Sequence, residues 1–209
     1  MKTWVKLFVN TCLLMGLWAA SVAAAENHQP MPATQTAVFA GGCFWGVDAV
    51  FKHVKGVIST TSGYAGGSAG TAQYERVSRG DSGHAESVRV VFDPSQVSYQ
   101  QLLQVFFSVA HDPTQLNRQG PDTGTQYRSA IFYTSAEQQR DAQRYIQQLA
   151  ATRTFARDIV TQVVPLQQFY PAEDYHQNYL ALHLLQPYIV TYDQPKLTSL
   201  RKQFPGLYQ

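Results

Sequence analysis

The stretch Gly41-Gly42-Cys43-Phe44-Trp45-Gly46 constrains the fold more than any other. Before it, Thr36-Ala37-Val38-Phe39-Ala40 is a run of mostly small or apolar residues that reads as a buried strand. After it, Val47, Val50, Phe51 and Val54 have the i, i+3, i+4, i+7 spacing of one helical face. The two glycines between permit a tight turn. The chain must therefore pass from strand to helix at Cys43. A helix start presents unpaired N–H groups and the positive end of its dipole, and both favour thiolate, the nucleophilic form of cysteine. Phe44 and Trp45 then place an aromatic wall beside the sulfur. A lone cysteine is often only a small buried hydrophobe; the glycines and the helix-start position favour the functional reading.

The cysteine count bears on this. Residues 1–25 have the three parts of a secretory signal: basic Lys2 and Lys6, a mostly apolar run from Leu7 to Ala20, and Ala23-Ala24-Ala25 as a small-residue cleavage site before Glu26. The alternative is an uncleaved membrane anchor, since Leu7–Ala25 is almost long enough to span. Cleavage removes Cys12 and leaves Cys43 as the one cysteine of the mature chain. No internal disulfide is then possible, although an exported, periplasmic location permits one. An odd thiol in such a protein points to reactivity or to intermolecular pairing. One cysteine with scattered histidines builds no zinc site. Losing Lys2 and Lys6 leaves as many basic as acidic residues, so no basic field remains to attract nucleic acid or an anionic membrane. Residues 26–35, with Pro30 and Pro32, form a flexible lead-in with little to bury. Residues 36–209 suffice for one domain with a full core.

Within that domain, Gly56 ends the first helix and Val57–Thr61 reads as a second strand. Ser62–Asp81 is a glycine-rich loop with no GxGxxG or GKS/T pattern, which excludes a phosphate cradle of those types. His84–Phe92 alternates as a strand. Ser98 caps a helix that buries Leu102, Leu103, Phe106 and Val109. His111–Gly124 is a polar loop, Tyr127–Tyr133 a strand, and Ser135 with Gln138 a capping box for a helix burying Ala142, Tyr145, Ile146 and Leu149. Ile159–Val164 reads as the last strand, Pro171–Leu185 as a short helix, and the tail after Pro187 as irregular. The order predicts an α+β domain with a two-layer, ferredoxin-like β-α-β-β-α-β core and extra C-terminal helices and loops.

Glu86 shares a strand face with Val88, Val90 and Phe92. If that face is core, its carboxyl is buried, its pKa rises and it suits a general acid. Taken alone, a strand-end carboxylate turned to solvent is the plainer reading. Tyr74, Tyr127 and Asp122 read, one by one, as packing or turn residues. Tyr175, His176 and Gln177 read as the polar face of the last helix. His84, His111 or His176 could serve as a base for Cys43, and nothing local chooses among them.

Taken together, four stretches resemble the A-class peptide methionine sulfoxide reductases: Gly42-Cys43-Phe44-Trp45-Gly46; Tyr74 followed by Gly83-His84-Ala85-Glu86; Asp122 with Gly124-Thr125-Gln126-Tyr127-Arg128-Ser129; and Ala172-Glu173-Asp174-Tyr175-His176-Gln177. The resemblance spans roughly Thr36–His183. It implies an oxidoreductase that repairs oxidatively damaged proteins by reducing methionine (S)-sulfoxide, with no bound cofactor. By the same resemblance Cys43 is the nucleophile and becomes a sulfenic acid. Glu86 protonates or hydrogen-bonds the sulfoxide oxygen, Tyr74 and Tyr127 hold it, Phe44 and Trp45 cradle the methyl group, and Asp122 supports the pocket through hydrogen bonds. The family's frequent additional cysteines are missing from Leu197–Gln209 and from Val77-Ser78-Arg79-Gly80. An external thiol reductant is therefore implied: thioredoxin, glutaredoxin or glutathione, with dithiothreitol substituting in vitro. The partners are then oxidised proteins or peptides and a thiol–disulfide reductase. Other readings of the residues are a cysteine hydrolase, a thiol peroxidase, or a binding module for exposed methionine.

Overall fold

The computed structural model describes Met1 and residues 33–209; the expected signal at 1–25 and most of the lead-in lie outside the described residues. Strand β1 (Gln35–Gly41) runs through the middle of a six-stranded sheet. Its side chains alternate between two apolar clusters: Ala37 and Phe39 on one face, Val38 and Ala40 on the other. Helix α1 (Phe44–Lys52) follows and buries Val47, Val50 and Phe51 on the Phe39 face. Phe39 stacks on Phe51 and on Phe106, each at 4.9 Å between ring centroids. Full burial of such side chains contributes about 1.5–3 kcal/mol each, so this stack fixes how α1 sits on the sheet.

Strand β2 (Val57–Ala65) is longer than its sequence signal and extends into the glycine-rich stretch. A short helix, α2 (Tyr74–Val77), precedes β3 (Ala85–Phe92). Helix α3 (Tyr99–Val105) has a complete capping box between Ser98 and Gln101 and widens into a π turn over Phe106–Ala110. The expected polar loop holds a small hairpin, β4 (Arg118–Gln119) with β5 (Asp122–Thr123). Strand β6 (Ser129–Tyr133) leads to helix α4 (Ala136–Ala151). Ser135 caps α4, but the box is half formed: Gln138 turns its amide to the Thr134 N–H and the Thr36 carbonyl instead. Strand β7 (Gln162–Pro165) adds parallel to β6. It is not the last strand, because β8 (Phe169–Pro171) pairs with β2 at the opposite edge. The sheet order is β7-β6-β1-β3-β2-β8, and the pairs among β6, β1, β3 and β2 are all antiparallel.

Two C-terminal expectations are corrected. The expected helix over Pro171–Leu185 is a 3-10 turn (Asp174–His176) and a separate short helix, α5 (Tyr179–Leu182), because Asn178 takes a left-handed conformation (φ 55°) and breaks the run. The tail is ordered: a π turn over Ile189–Asp193 continues into α6 (Gln194–Gln203), with a proline in its first turn. Beyond α6 the chain returns to the far end of α1, where the Leu207 carbonyl accepts the Lys55 N–H at 2.7 Å. Among the described residues, no helix is long and apolar enough to cross a membrane.

Candidate active site

Cys43 is the N-cap of α1 and is 8% exposed. Gly42 makes this possible on two counts. Its φ is +89°, and a Cβ there would stand 2.5 Å from the Gln119 side chain. Next to Cys43, the first free N–H of the helix, on Phe44, donates to Glu86 Oε2 at 3.1 Å. Glu86 comes from β3, two residues before Val88 on the same face, and is 2% exposed. The solvent-turned reading of this residue is therefore wrong: α1 lies over the strand end and closes it off.

Burial pushes the Glu86 carboxyl up to about 8, with the Phe44 N–H opposing and Asp122 adding to the rise. Near neutral pH it is held largely as the carboxylic acid. The ready thiolate expected of a helix start is also corrected. Burial, then the carboxyls of Glu86 and Asp193, push the Cys43 thiol well up, and the Trp45 N–H and the Lys196 ammonium offset only part of this. The helix N-terminus is present, but the site's dryness and acidity outweigh it.

Two phenols sense the charge of both Cys43 and Glu86. Tyr74 opens α2, and its N–H donates to Glu173 Oε1 at 2.9 Å. Tyr127 ends a 3-10 turn (Thr125–Tyr127) and does not head a strand as expected. That turn is pinned to the end of α2 by Thr125 Oγ1 donating to the Gly80 carbonyl and Gln126 Nε2 donating to that of Ser78. Burial first, then Glu86, raises both phenols, so each remains an O–H donor. Asp122, on β5, accepts a short hydrogen bond from the Tyr188 hydroxyl. Burial raises it, while Tyr188 and Lys196 pull the other way.

The aromatic wall is divided between inside and outside. Phe44 is fully buried against His176 and Tyr64, at 5.1 and 5.9 Å. Trp45 is half-buried, stacks on Tyr179 at 3.7 Å, and meets Tyr188 edge-on at 6.0 Å. Its indole N–H donates to His176 Nδ1 at 3.2 Å. His176 is thus interior, not part of a polar helix face; Tyr175 beside it is exposed. Glu173 also accepts the Tyr64 hydroxyl, at 2.8 Å. Gln177 ties this turn to Ser62 of β2 with both of its amide atoms.

None of the three candidate bases pairs with Cys43. His84 is engaged by the Gly67 N–H and the Ser68 carbonyl. His111 is engaged by the Phe106 carbonyl and Ser129 Oγ, and burial lowers it to about 4. His176 holds Trp45. A hydrolase needs a Cys–His pair, and these contacts do not supply one. Among the described residues no cluster of three or more His, Cys, Asp or Glu could hold a metal.

The structure thus brings the buried Cys43, Glu86 and Phe44 together with the part-exposed Trp45, Tyr74, Tyr127 and Asp122. It adds Tyr188, Asp193 and Lys196, which sequence reasoning passed over. The available signal was Asp193-Gln194-Pro195-Lys196, a helix-start pattern with an acid before the proline. The site can offer a protonated carboxyl and phenol hydroxyls to an oxygen held beside a sulfur nucleophile.

A family model described as peptide methionine sulfoxide reductase matches residues 35–206. The chain is similar to peptide methionine sulfoxide reductase MsrA 2 of Mesorhizobium japonicum, with 56% identity over 87% of this chain and 93% of that one. It is 48% identical to peptide methionine sulfoxide reductase MsrA of Deinococcus radiodurans over 86% of this chain and 87% of that one. Among solved structures, it resembles methionine sulfoxide reductase A of Corynebacterium diphtheriae, with TM-score 0.66, 38% identity, and coverage of 75% and 78% of the two chains.

Proposed function

This chain belongs to the peptide methionine sulfoxide reductase A family and is a methionine sulfoxide reductase, and from that premise we propose that Cys43 and Glu86 carry the reaction. The observation that carries this reading is the Glu86 carboxyl, held neutral by burial and docked on the Phe44 N–H directly beside Cys43. Sulfoxide oxygen leaves poorly until it is protonated. Glu86 gives its proton to that oxygen, and Tyr74 and Tyr127 donate hydrogen bonds to it. The Cys43 sulfur attacks the sulfoxide sulfur to form an S–S bond as the S–O bond breaks, and the oxygen leaves as water carrying the Glu86 proton and the thiol proton. Water then attacks the Cys43 sulfur and gives a proton back to Glu86 as the S–S bond breaks, so that methionine is released reduced by two electrons and Cys43 is left as a sulfenic acid. Trp45, with Phe44 behind it, forms the apolar side that receives the methyl group. Asp122 holds its side of the pocket through Tyr188. A pocket with its hydroxyls on one side and its aromatics on the other distinguishes sulfoxide epimers, and we assign it the S epimer.

Cys43 is the one cysteine among the described residues. Regeneration accordingly calls on an external thiol of the thioredoxin, glutaredoxin or glutathione kind: the first thiol displaces water to give a mixed disulfide, and a second releases Cys43. The substrates are oxidised proteins and peptides, and the role is repair. The N-terminal sequence supports export to the periplasm with cleavage before Glu26. The order β6-β1-β3-β2 supports reading the core as ferredoxin-like.

The test is dithiothreitol-dependent reduction of dabsylated methionine sulfoxide, each epimer separately. The S epimer should be consumed and Cys43→Ser should be inactive. Turnover by Cys43→Ser, or equal use of both epimers, overturns the assignment.

A further inference from the structure

The ordered tail places a charge pair directly under the start of α1. Asp193 ends the π turn and is 0% exposed. Its Oδ1 accepts from Lys196 Nζ at 3.1 Å. Its Oδ2 is buried with no hydrogen-bond partner among the described residues. The pair presses on Gly46, three residues after Cys43 and so about one helical turn along. A Cβ at Gly46 would stand 2.1 Å from Asp193 Oδ1 and 2.6 Å from Lys196 Nζ. A glycine in the first turn of this helix is what lets the pair come so close.

A fully buried carboxylate with one unpaired oxygen is costly, and a partner cation alone does not remove the cost. A role in packing would be served as well by two apolar side chains. The groups around Cys43 show what else the pair does. Glu86 of β3 and Asp193 face the sulfur as acids, and Asp122 of β5 bears on Glu86. Tyr74, Tyr127 and Tyr188 face it as neutral phenols. His111 packs against Gly41 and His176 against Phe44 and Trp45, both with their pKa lowered by burial. Lys196 is the cation in this set, and its field also reaches Asp122.

We propose that Asp193 and Lys196 are positioning residues that set the ionisation of Cys43: Lys196 supplies the cation that supports the thiolate, and Asp193 holds that cation beside Gly46 while opposing it with its own charge. The thiolate formed as substrate arrives then has both the helix N-terminus and the ammonium held beside Gly46 to favour it. This rests on the reading of Cys43 as nucleophile, but its test reads the Cys43 proton without any turnover.

The experiment is iodoacetamide alkylation of the full chain at about pH 8, followed at the Cys43 peptide by mass spectrometry, which separates it from Cys12. One nearby unit charge is worth on the order of one pKa unit, or about tenfold in thiolate fraction. Asp193→Asn should be alkylated about tenfold faster than the parent and Lys196→Met about tenfold slower. If the pair only packs, both variants loosen the site and both speed up; that result, or no change in either, overturns the proposal. Should Lys196→Met not fold, Asp193→Asn against Asp193→Glu decides. The isosteric neutral variant should accelerate alkylation, while the longer charged one should stay within about twofold. The reverse order would show that shape, not charge, matters. A failed alkylation test leaves Cys43 as nucleophile untouched, whereas activity in Cys43→Ser would remove the nucleophile and leave the alkylation result standing.

Discussion

Replacing Glu86 with Gln separates two consequences of one buried carboxyl. The amide is nearly isosteric, and its oxygen can still accept the Phe44 N–H. What it lacks is an ionisable proton. In the folded protein the carboxyl is raised from its ordinary 4.5 to about 8, chiefly by burial. Below about pH 4.5 both folded and unfolded chains carry a protonated Glu86, and its ionisation costs nothing. Between about 4.5 and 8 the unfolded chain releases the proton and the folded chain does not, so stability falls as pH rises. Above about 8 both are ionised and the loss is complete. Each unit of difference is worth about 1.4 kcal/mol, which makes the full loss about 5 kcal/mol and the part accruing between pH 5 and pH 8 about 3 kcal/mol. Glu86→Gln escapes this loss. Urea unfolding of both proteins at the two pH values should show the variant gaining about 3 kcal/mol on the parent from pH 5 to pH 8. Single-turnover reduction should move oppositely. The parent rate should fall above about pH 8 as the acid ionises, and the variant should be slower by about a hundred- to ten-thousand-fold with that limb gone. An unchanged stability difference between the two pH values would refute the claim that Glu86 is held neutral, and an unchanged single-turnover rate would remove it from proton transfer.

Two further outcomes are expected. A chain starting at Glu26, reduced and then freed of small thiols, should convert about one sulfoxide per protein and stop with a dimedone-reactive Cys43, because one sulfur accepts one oxygen before it must be regenerated; two or more equivalents would reveal another reductant within the protein. Gly46→Ala should destabilise by about 1–3 kcal/mol in thermal or urea unfolding, since its methyl would meet Asp193 and Lys196 inside contact distance, whereas the same change in an open helix stabilises by about 1 kcal/mol; a gain in stability would show that the pair moves aside freely.

The parts legible in the sequence are those governed by local periodicity. The strand, glycine turn and helix around Cys43 follow from residue spacing, and period-two alternation correctly assigned Glu86 to the face of Val88 and Val90. Its burial was not legible, because it depends on α1 covering the strand end, a matter of packing. Tyr127 was misplaced by two residues because its ring looks like the first strand position, while the turn is held by Gln126 and Thr125 reaching Ser78 and Gly80. Strand β8 has three residues and two of them are Tyr and Pro, too little for a pattern. Helix α6 buries Leu200 fully and little else, so its amphipathic signal is weak although its placement matters. Tyr188, Asp193 and Lys196 matter through what they touch, and no spacing rule reports that.

The bonds that complete the pocket also join parts of the chain that are made far apart in time. Trp45 meets His176 across 131 positions, Ser62 meets Gln177 across 115, and Tyr74 meets Glu173 across 99. Loops this long close late, after local helices and hairpins. A ribosome delivers residues in sequence order, so Cys43 emerges while Glu173, Tyr188 and Lys196 are still unmade. For most of its synthesis the chain therefore carries an ordinary cysteine, without a dry pocket, an acid partner of shifted pKa, or an ammonium beneath it. Polypeptides that terminate before β8 lack Glu173, His176, Tyr188, Asp193 and Lys196 altogether. The full set of neighbours around Cys43 therefore exists only once the chain has been made through Lys196.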